Sequence, residues 1–97
     1  MDLKFDWDPI KNESNFKKHG VDFEEAKTVF SDDDAVEFFD NEHSLDEDRF
    51  IIIGISIEKQ RLTVCHCYRN GDDIIRIISA RRANRAEREL YRKGGLI

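Results

Sequence analysis

The chain has 97 residues, 39% hydrophobic and 38% charged, with a formal net charge of −5. That length supports one small core and excludes a second domain or a large enclosed cofactor. No run approaches the roughly 20 apolar residues that span a bilayer, and the N-terminus lacks the apolar core of a secretory leader. The expectation is a single domain over residues 1–97, in the cytoplasm, away from membranes, with both cysteines reduced.

Leu3 to Trp7 alternates apolar Leu3, Phe5 and Trp7 with Lys4 and Asp6, the period of a short strand. Asp8-Pro9 opens a helix, Asp8 as cap and Pro9 where no donor is needed. Gly20 closes it, with Ile10 and Phe16 as its thin apolar face. Asp22-Phe23-Glu24-Glu25 has capping-box spacing, with Val21 placed to staple onto Ala26. The second helix carries Phe23, Ala26, Val29 and Phe30 in one stripe. Ala35–Phe39 is expected as a strand and Asp40–Asp48 as an acidic loop. Arg49–Ile57 gives the strongest strand signal, followed by Leu62–Tyr68, an Asn70-Gly71 turn and Ile74–Ser79. Connections this short make these three strands an antiparallel meander. Asn84 and Glu87 form a second capping box, opening a last helix that buries Ala86 and Leu90 and ends at Gly94-Gly95. The predicted class is α+β: β-α-α, then an antiparallel meander sheet and a C-terminal helix, with the helices on one face. Phe23, Ala26, Phe30, Ile53, Ile55 and Leu90 are the expected core.

Charge is unevenly spread. Residues 1–48 hold 16 Asp/Glu against 5 Lys; residues 49–97 hold 5 Asp/Glu against 11 cations, 9 of them Arg. An acidic chain with a basic second half points to one localised anion site, and Arg suits phosphate through planar, paired contacts. Arg85, Arg88 and Arg92 make one stripe on the last helix. Arg81 and Arg82 fall between the last strand and that helix, where side chains reach ligands. Arg76, among isoleucines in mid-strand, is either part of a phosphate-binding floor or a structural Arg answered by a carboxylate. His66 alternates with Leu62, Val64 and Tyr68 and is either a proton-transfer group or a hydrogen-bonded structural residue. Tyr68 and Arg69 could stack on or bind a nucleotide. Cys65 and Cys67 share a strand face opposite His66, a geometry that suits neither zinc nor a disulfide. The acidic loop, His43 included, has no metal-ligand spacing, and no motif for any cofactor is present.

Phe5-Asp6-Trp7-Asp8 with Lys11, Asn15 and Lys18-His19-Gly20, Phe23-Glu24-Glu25-Ala26 with Val29-Phe30, and His43-Ser44 before Arg49 form an ordered set. Ile53-Gly54-Ile55-Ser56 and Arg76-Ile77-Ile78-Ser79-Ala80-Arg81 with Ala83 and Glu87-Arg88 complete it. Together these blocks, over residues 5–91 or so, resemble the BrnT-like toxin family of type II toxin–antitoxin systems. The resemblance implies a RelE-like fold and a metal-independent ribonuclease that arrests translation by attack of the substrate's 2′-hydroxyl on the adjacent phosphate. It implies a cognate antitoxin with a ribbon-helix-helix DNA-binding region, DNA being bound only through that complex, which represses its own operon. It places Arg76, Arg81 and Arg88 at the phosphate; the residues themselves offer His66, or Glu87 beside Arg88, as candidate base and Arg85, Tyr68, Arg69 and Arg82 as RNA contacts. The alternative is a non-catalytic module whose Arg surface docks an antitoxin or another acidic partner.

Overall fold

In the computed structural model, which describes residues 3–95, the Asp8 carboxylate accepts from the Ile10 amide at 2.9 Å and Pro9 fills the first turn. Helix α1 (Pro9–His19) therefore starts and stops at its sequence signals, with Gly20 left-handed at φ 72°. Asp22 caps α2 (Phe23–Ala26) through the Glu24 amide. The expected capping box there does not close, because Glu25 is drawn away: it accepts from the Ser56 hydroxyl and the Gln60 amide. After one turn α2 tightens into a 3-10 turn, Lys27–Ser31.

The strands are β1 (Lys4–Asp6), β2 (Val36–Phe39), β3 (Phe50–Ile55), β4 (Arg61–Arg69) and β5 (Ile74–Arg82), and the last helix is α3 (Arg85–Arg92). They form one mixed sheet in the order β1-β5-β4-β3-β2. The β3-β4-β5 meander is antiparallel as expected, while β1 adds to β5 in parallel. β5 outruns its predicted end at Ser79, because pairing with Leu62 and Thr63 carries it on to Arg82. Arg81 and Arg82 are thus strand residues. Cys65 pairs with Ser79 and His66 with Ile77, so Ile78 is the extra residue of a bulge.

Val21, Phe23, Ala26 and Val29 pack onto Ile52, Leu62, Val64, Ile77 and Ala80 to make the main core. Of the expected core, Phe23, Ala26 and Ile53 are fully buried, whereas Phe30, Ile55 and Leu90 are half-buried. Gly54 lies under this layer: a Cβ there would come within 3.1 Å of the Ala35 Cβ. Ile10 and Phe16 are 78% and 52% exposed, and α1 buries Asn15 instead. Asn15 gives two hydrogen bonds, to the Val21 and Ala80 carbonyls, and takes one from the Ala80 amide.

The helices do not share a face. α3 lies on the side opposite α1 and α2, because Glu87 bonds Thr63 and Arg81, which alternate with core residues Val64 and Ala80. Its capping box forms as predicted, Ala86 stays exposed, and Tyr91 donates to Asp32 at the far end.

Asp32 and Glu87 are the carboxylates that tie α3 down. Burial pushes Glu87 up, but Arg81, the Asn84 amide and the Thr63 hydroxyl outweigh it and leave the carboxyl below its usual value. In Asp32 burial is overcome in the same way by the Ile55 and Asp34 amides and by Tyr91, whose own hydroxyl is pushed up to about 12. Both carboxyls titrate lower folded than unfolded. Their contribution is full above the unfolded carboxylate value of about 4 and is lost as pH falls through the folded values. Melting temperature is expected to drop across that acid range, and Glu87→Gln to flatten part of the slope. An unchanged slope in Glu87→Gln would remove Glu87 from this account.

Candidate active site

On the α3 side of the sheet, Ile51, Thr63, Cys65, Ile78 and Ser79 floor a groove of about 310 Å³. Its rim carries Asp40, Glu42, His43, Arg49 and Arg81. One wall is the loop between β2 and β3. The Asp40 amide donates to the Arg49 carbonyl at 2.8 Å, and the Ser44 hydroxyl accepts from the Arg49 amide and donates to the Asp40 carbonyl. These bonds close the loop at its neck and bring His43 and Arg49 to the same opening.

His43 Nδ1 lies 3.0 Å from an Asp40 carboxylate oxygen. A carboxylate only accepts, so Nδ1 carries the hydrogen, and in the neutral ring Nε2 is then the acceptor. Asp40 is largely covered and the imidazole is exposed, an oriented base open to solvent. The buried Arg49 Nε has no hydrogen-bond partner among the described residues, its nearest carboxylate oxygen, on Glu47, lying 3.6 Å away. That distance allows attraction but not a hydrogen bond, so this covered Nε is unpaired on a residue that also lines the groove. Arg81 spans Glu87 with two bonds, 2.7 and 2.8 Å, which hold its guanidinium charged and fixed. Burial and Asp40 push the Cys65 thiol up, so it stays neutral in the floor and is no nucleophile. Both cysteines are free thiols.

The other sequence candidates are dispersed. Arg76 donates to Asp6 at 2.6 Å, the carboxylate of its register neighbour on β1, outside the groove lining. Arg88 donates to the Ala83 carbonyl; Arg82 and Arg85 are exposed. Arg69 pairs with Glu47 at 3.1 Å. His66 is fully buried, its Nδ1 facing the Val64 carbonyl and its Nε2 2.5 Å from Glu37. Tyr68 donates to the same Glu37 oxygen, and burial with that carboxylate pushes its hydroxyl up. Of the expected set only Arg81 lines the groove, where it meets His43 and Arg49. The one trace of those two in the sequence was the His43-Ser44 and Arg49 spacing within the family resemblance.

The chain is thus a small α+β domain whose mixed sheet carries an Arg- and His-rimmed groove on one face. The sequence family described as ribonuclease toxin, BrnT, of type II toxin-antitoxin system matches residues 7–87, and the chain belongs to it. The crystal structure of the Brucella abortus ribonuclease toxin, BrnT, is similar with a TM-score of 0.64 and 27% identity, covering 87% of this chain and 100% of that one. No curated protein matches the sequence. Membership of a type II toxin–antitoxin family implies an antitoxin partner. Among the described residues no helix is long and apolar enough to cross a membrane.

Proposed function

We propose that this chain cleaves RNA in the groove beside the β2–β3 loop, on the α3 side of the sheet, acting in the cytoplasm without a metal ion. The observation that carries the reading is that His43, oriented by Asp40, and the Arg49 and Arg81 side chains line one groove. His43 takes the proton from a ribose 2′-hydroxyl, whose oxygen then bonds the adjacent phosphorus. The bond from phosphorus to the 5′-oxygen breaks, and that oxygen takes up a proton, leaving a 2′,3′-cyclic phosphate and a 5′-hydroxyl end. Arg49 and Arg81 bear on the charge that grows on the phosphoryl oxygens, the work a metal would otherwise do. Arg85, exposed in the first turn of α3, extends the basic track for the strand, whereas Arg82 alternates with Arg81 and lies on the other face of the sheet. His43 here takes the role that the sequence offered to His66, which is sealed from solvent.

The partner in this reading is an antitoxin with a ribbon-helix-helix DNA-binding region, which neutralises the toxin and with it represses their operon. The test is purified chain and RNA in excess chelator, alongside induction in a bacterial host with and without the neighbouring gene. Cyclic-phosphate ends that persist in chelator, and growth arrest relieved by the neighbour, are expected. Arrest without any cleaved RNA would leave a docking module in place of a nuclease.

A further inference from the structure

Strand β2 is an edge strand, hydrogen-bonded on one side only, to β3. The Asp40 amide bond to the Arg49 carbonyl fixes the phase of that ladder. Counting back in twos, Phe38 and Val36 are the residues bonded to β3, and the N–H and C=O groups of Glu37 and Phe39 point away from the sheet. Neither residue makes a main-chain bond to any turn or loop among the described residues. Natural edges are blunted with Lys, Pro or unpaired inward charges; Val36-Glu37-Phe38-Phe39 has no Lys or Pro, and its one charge, Glu37, is taken up by His66 and Tyr68. The edge is also rigid, because Glu37 is anchored through its carboxylate to His66 and Tyr68 of β4. Phe38 on one face and Phe39 on the other remain 41% and 43% exposed.

Residues 31–48, which contain β2 and both its flanks, hold 9 Asp or Glu and no Lys or Arg. We propose that the free edge of β2 takes up an extended, Lys- or Arg-bearing segment of a partner protein as a sixth strand. The outward main-chain groups of Glu37 and Phe39 supply the ladder, Phe38 and Phe39 supply one apolar contact on each face, and the acidic flanks select a cationic strand. The same charge disfavours pairing of two β2 edges, since each copy brings its own acidic set. The toxin–antitoxin family supplies a protein partner for such an edge. The inference stands apart from the RNA-cleaving reading, and its test reads binding alone.

The probe is a short synthetic peptide of alternating lysine and valine, with a glutamate–valine peptide as control, titrated into the full chain and followed by calorimetry and amide hydrogen exchange. The cationic peptide is expected to bind and the anionic one not. Exchange at the Glu37 and Phe39 amides should slow on binding while Phe38, already bonded to β3, is unchanged. Replacing Asp33, Asp34 and Asp46 together by Asn touches no ladder bond and should weaken binding about tenfold. Phe39→Pro removes an outward donor and should abolish it; if that variant melts, the Asn variant carries the test. Absence of binding, equal binding of both peptides, or binding without protection at Glu37 and Phe39 would overturn the proposal. So would a peptide-free dimer that already protects those amides.

Discussion

His43→Ala is expected to lower RNA cleavage by about a hundred- to ten-thousandfold, the usual worth of a positioned general base, with melting temperature unchanged. The imidazole is 62% exposed in the side chain and its one bond, to Asp40, is to a group outside the core. Removing it therefore takes a proton acceptor from the groove and little from the fold. Asp40→Asn is expected to cost less, since it releases the ring's orientation but leaves the base. His66→Ala should do the opposite. It empties a site enclosed by Phe30, Phe50 and Tyr68 and strips Glu37 of a partner, so stability should fall by about 2–4 kcal/mol. Cleavage kinetics and thermal melts of both variants check the pair. Full activity in folded His43→Ala would sink the groove reading, and lost activity in His66→Ala with an intact melt would move the base to His66.

Arg81→Ala separates less cleanly, and the reason lies in Glu87. That carboxylate is shared by Arg81, Thr63 and the capping box of α3. Truncating Arg81 leaves a part-buried carboxylate with fewer donors and loosens α3, and it takes a guanidinium from the groove rim, so lost cleavage and a lowered melt are expected together. Arg49 is the sharper phosphate probe, because its Nε has no hydrogen bond to lose.

What was legible in the sequence was local. Asp8-Pro9 with Gly20, and Asn84 with Glu87, fix their helices through bonds spanning a few residues, and the structure has both. The Phe50–Ile55 run and the short turns after it gave the antiparallel meander. What escaped depends on partners far along the chain. β1 finds β5 some 70 residues later; α3 chooses its face through Glu87, Thr63 and Arg81; Glu25 abandons its box for Ser56. The groove was hidden in the sequence for the same reason. His43 looked like one polar residue in an acidic loop, and only the bonds across the loop neck set it beside Arg49 and over the sheet. His66, on an alternating strand, gave no sign that Glu37, 29 residues away, would close over it.

Asn15→Ala is expected to remove about 3–5 kcal/mol, a large share of the roughly 5–15 kcal/mol that holds a small domain. Asn15 is the one buried residue of α1, 8% exposed, and it binds main chain on two other segments. Its amide group meets two carbonyls, Val21 at 3.0 Å and Ala80 at 2.8 Å, and one N–H, Ala80 at 3.1 Å. Two acceptors and one donor leave a single orientation for that group. Ala80 lies just past the Ile78 bulge, so Asn15 also holds β5 where its ladder is irregular, one residue before Arg81. Alanine leaves three main-chain groups buried and unpaired, each costing about 1–3 kcal/mol. Melting temperature should fall by about 12–40 °C for a chain of this length, and the groove should lose cleavage with it. Asn15→Asp is the control for shape: it keeps the volume but sets a carboxylate against two carbonyls, so it should do no better than alanine near neutral pH. A melt of Asn15→Ala within a few degrees of wild type would mean that water or a local shift replaces all three bonds, and that α1 is held by its contacts alone.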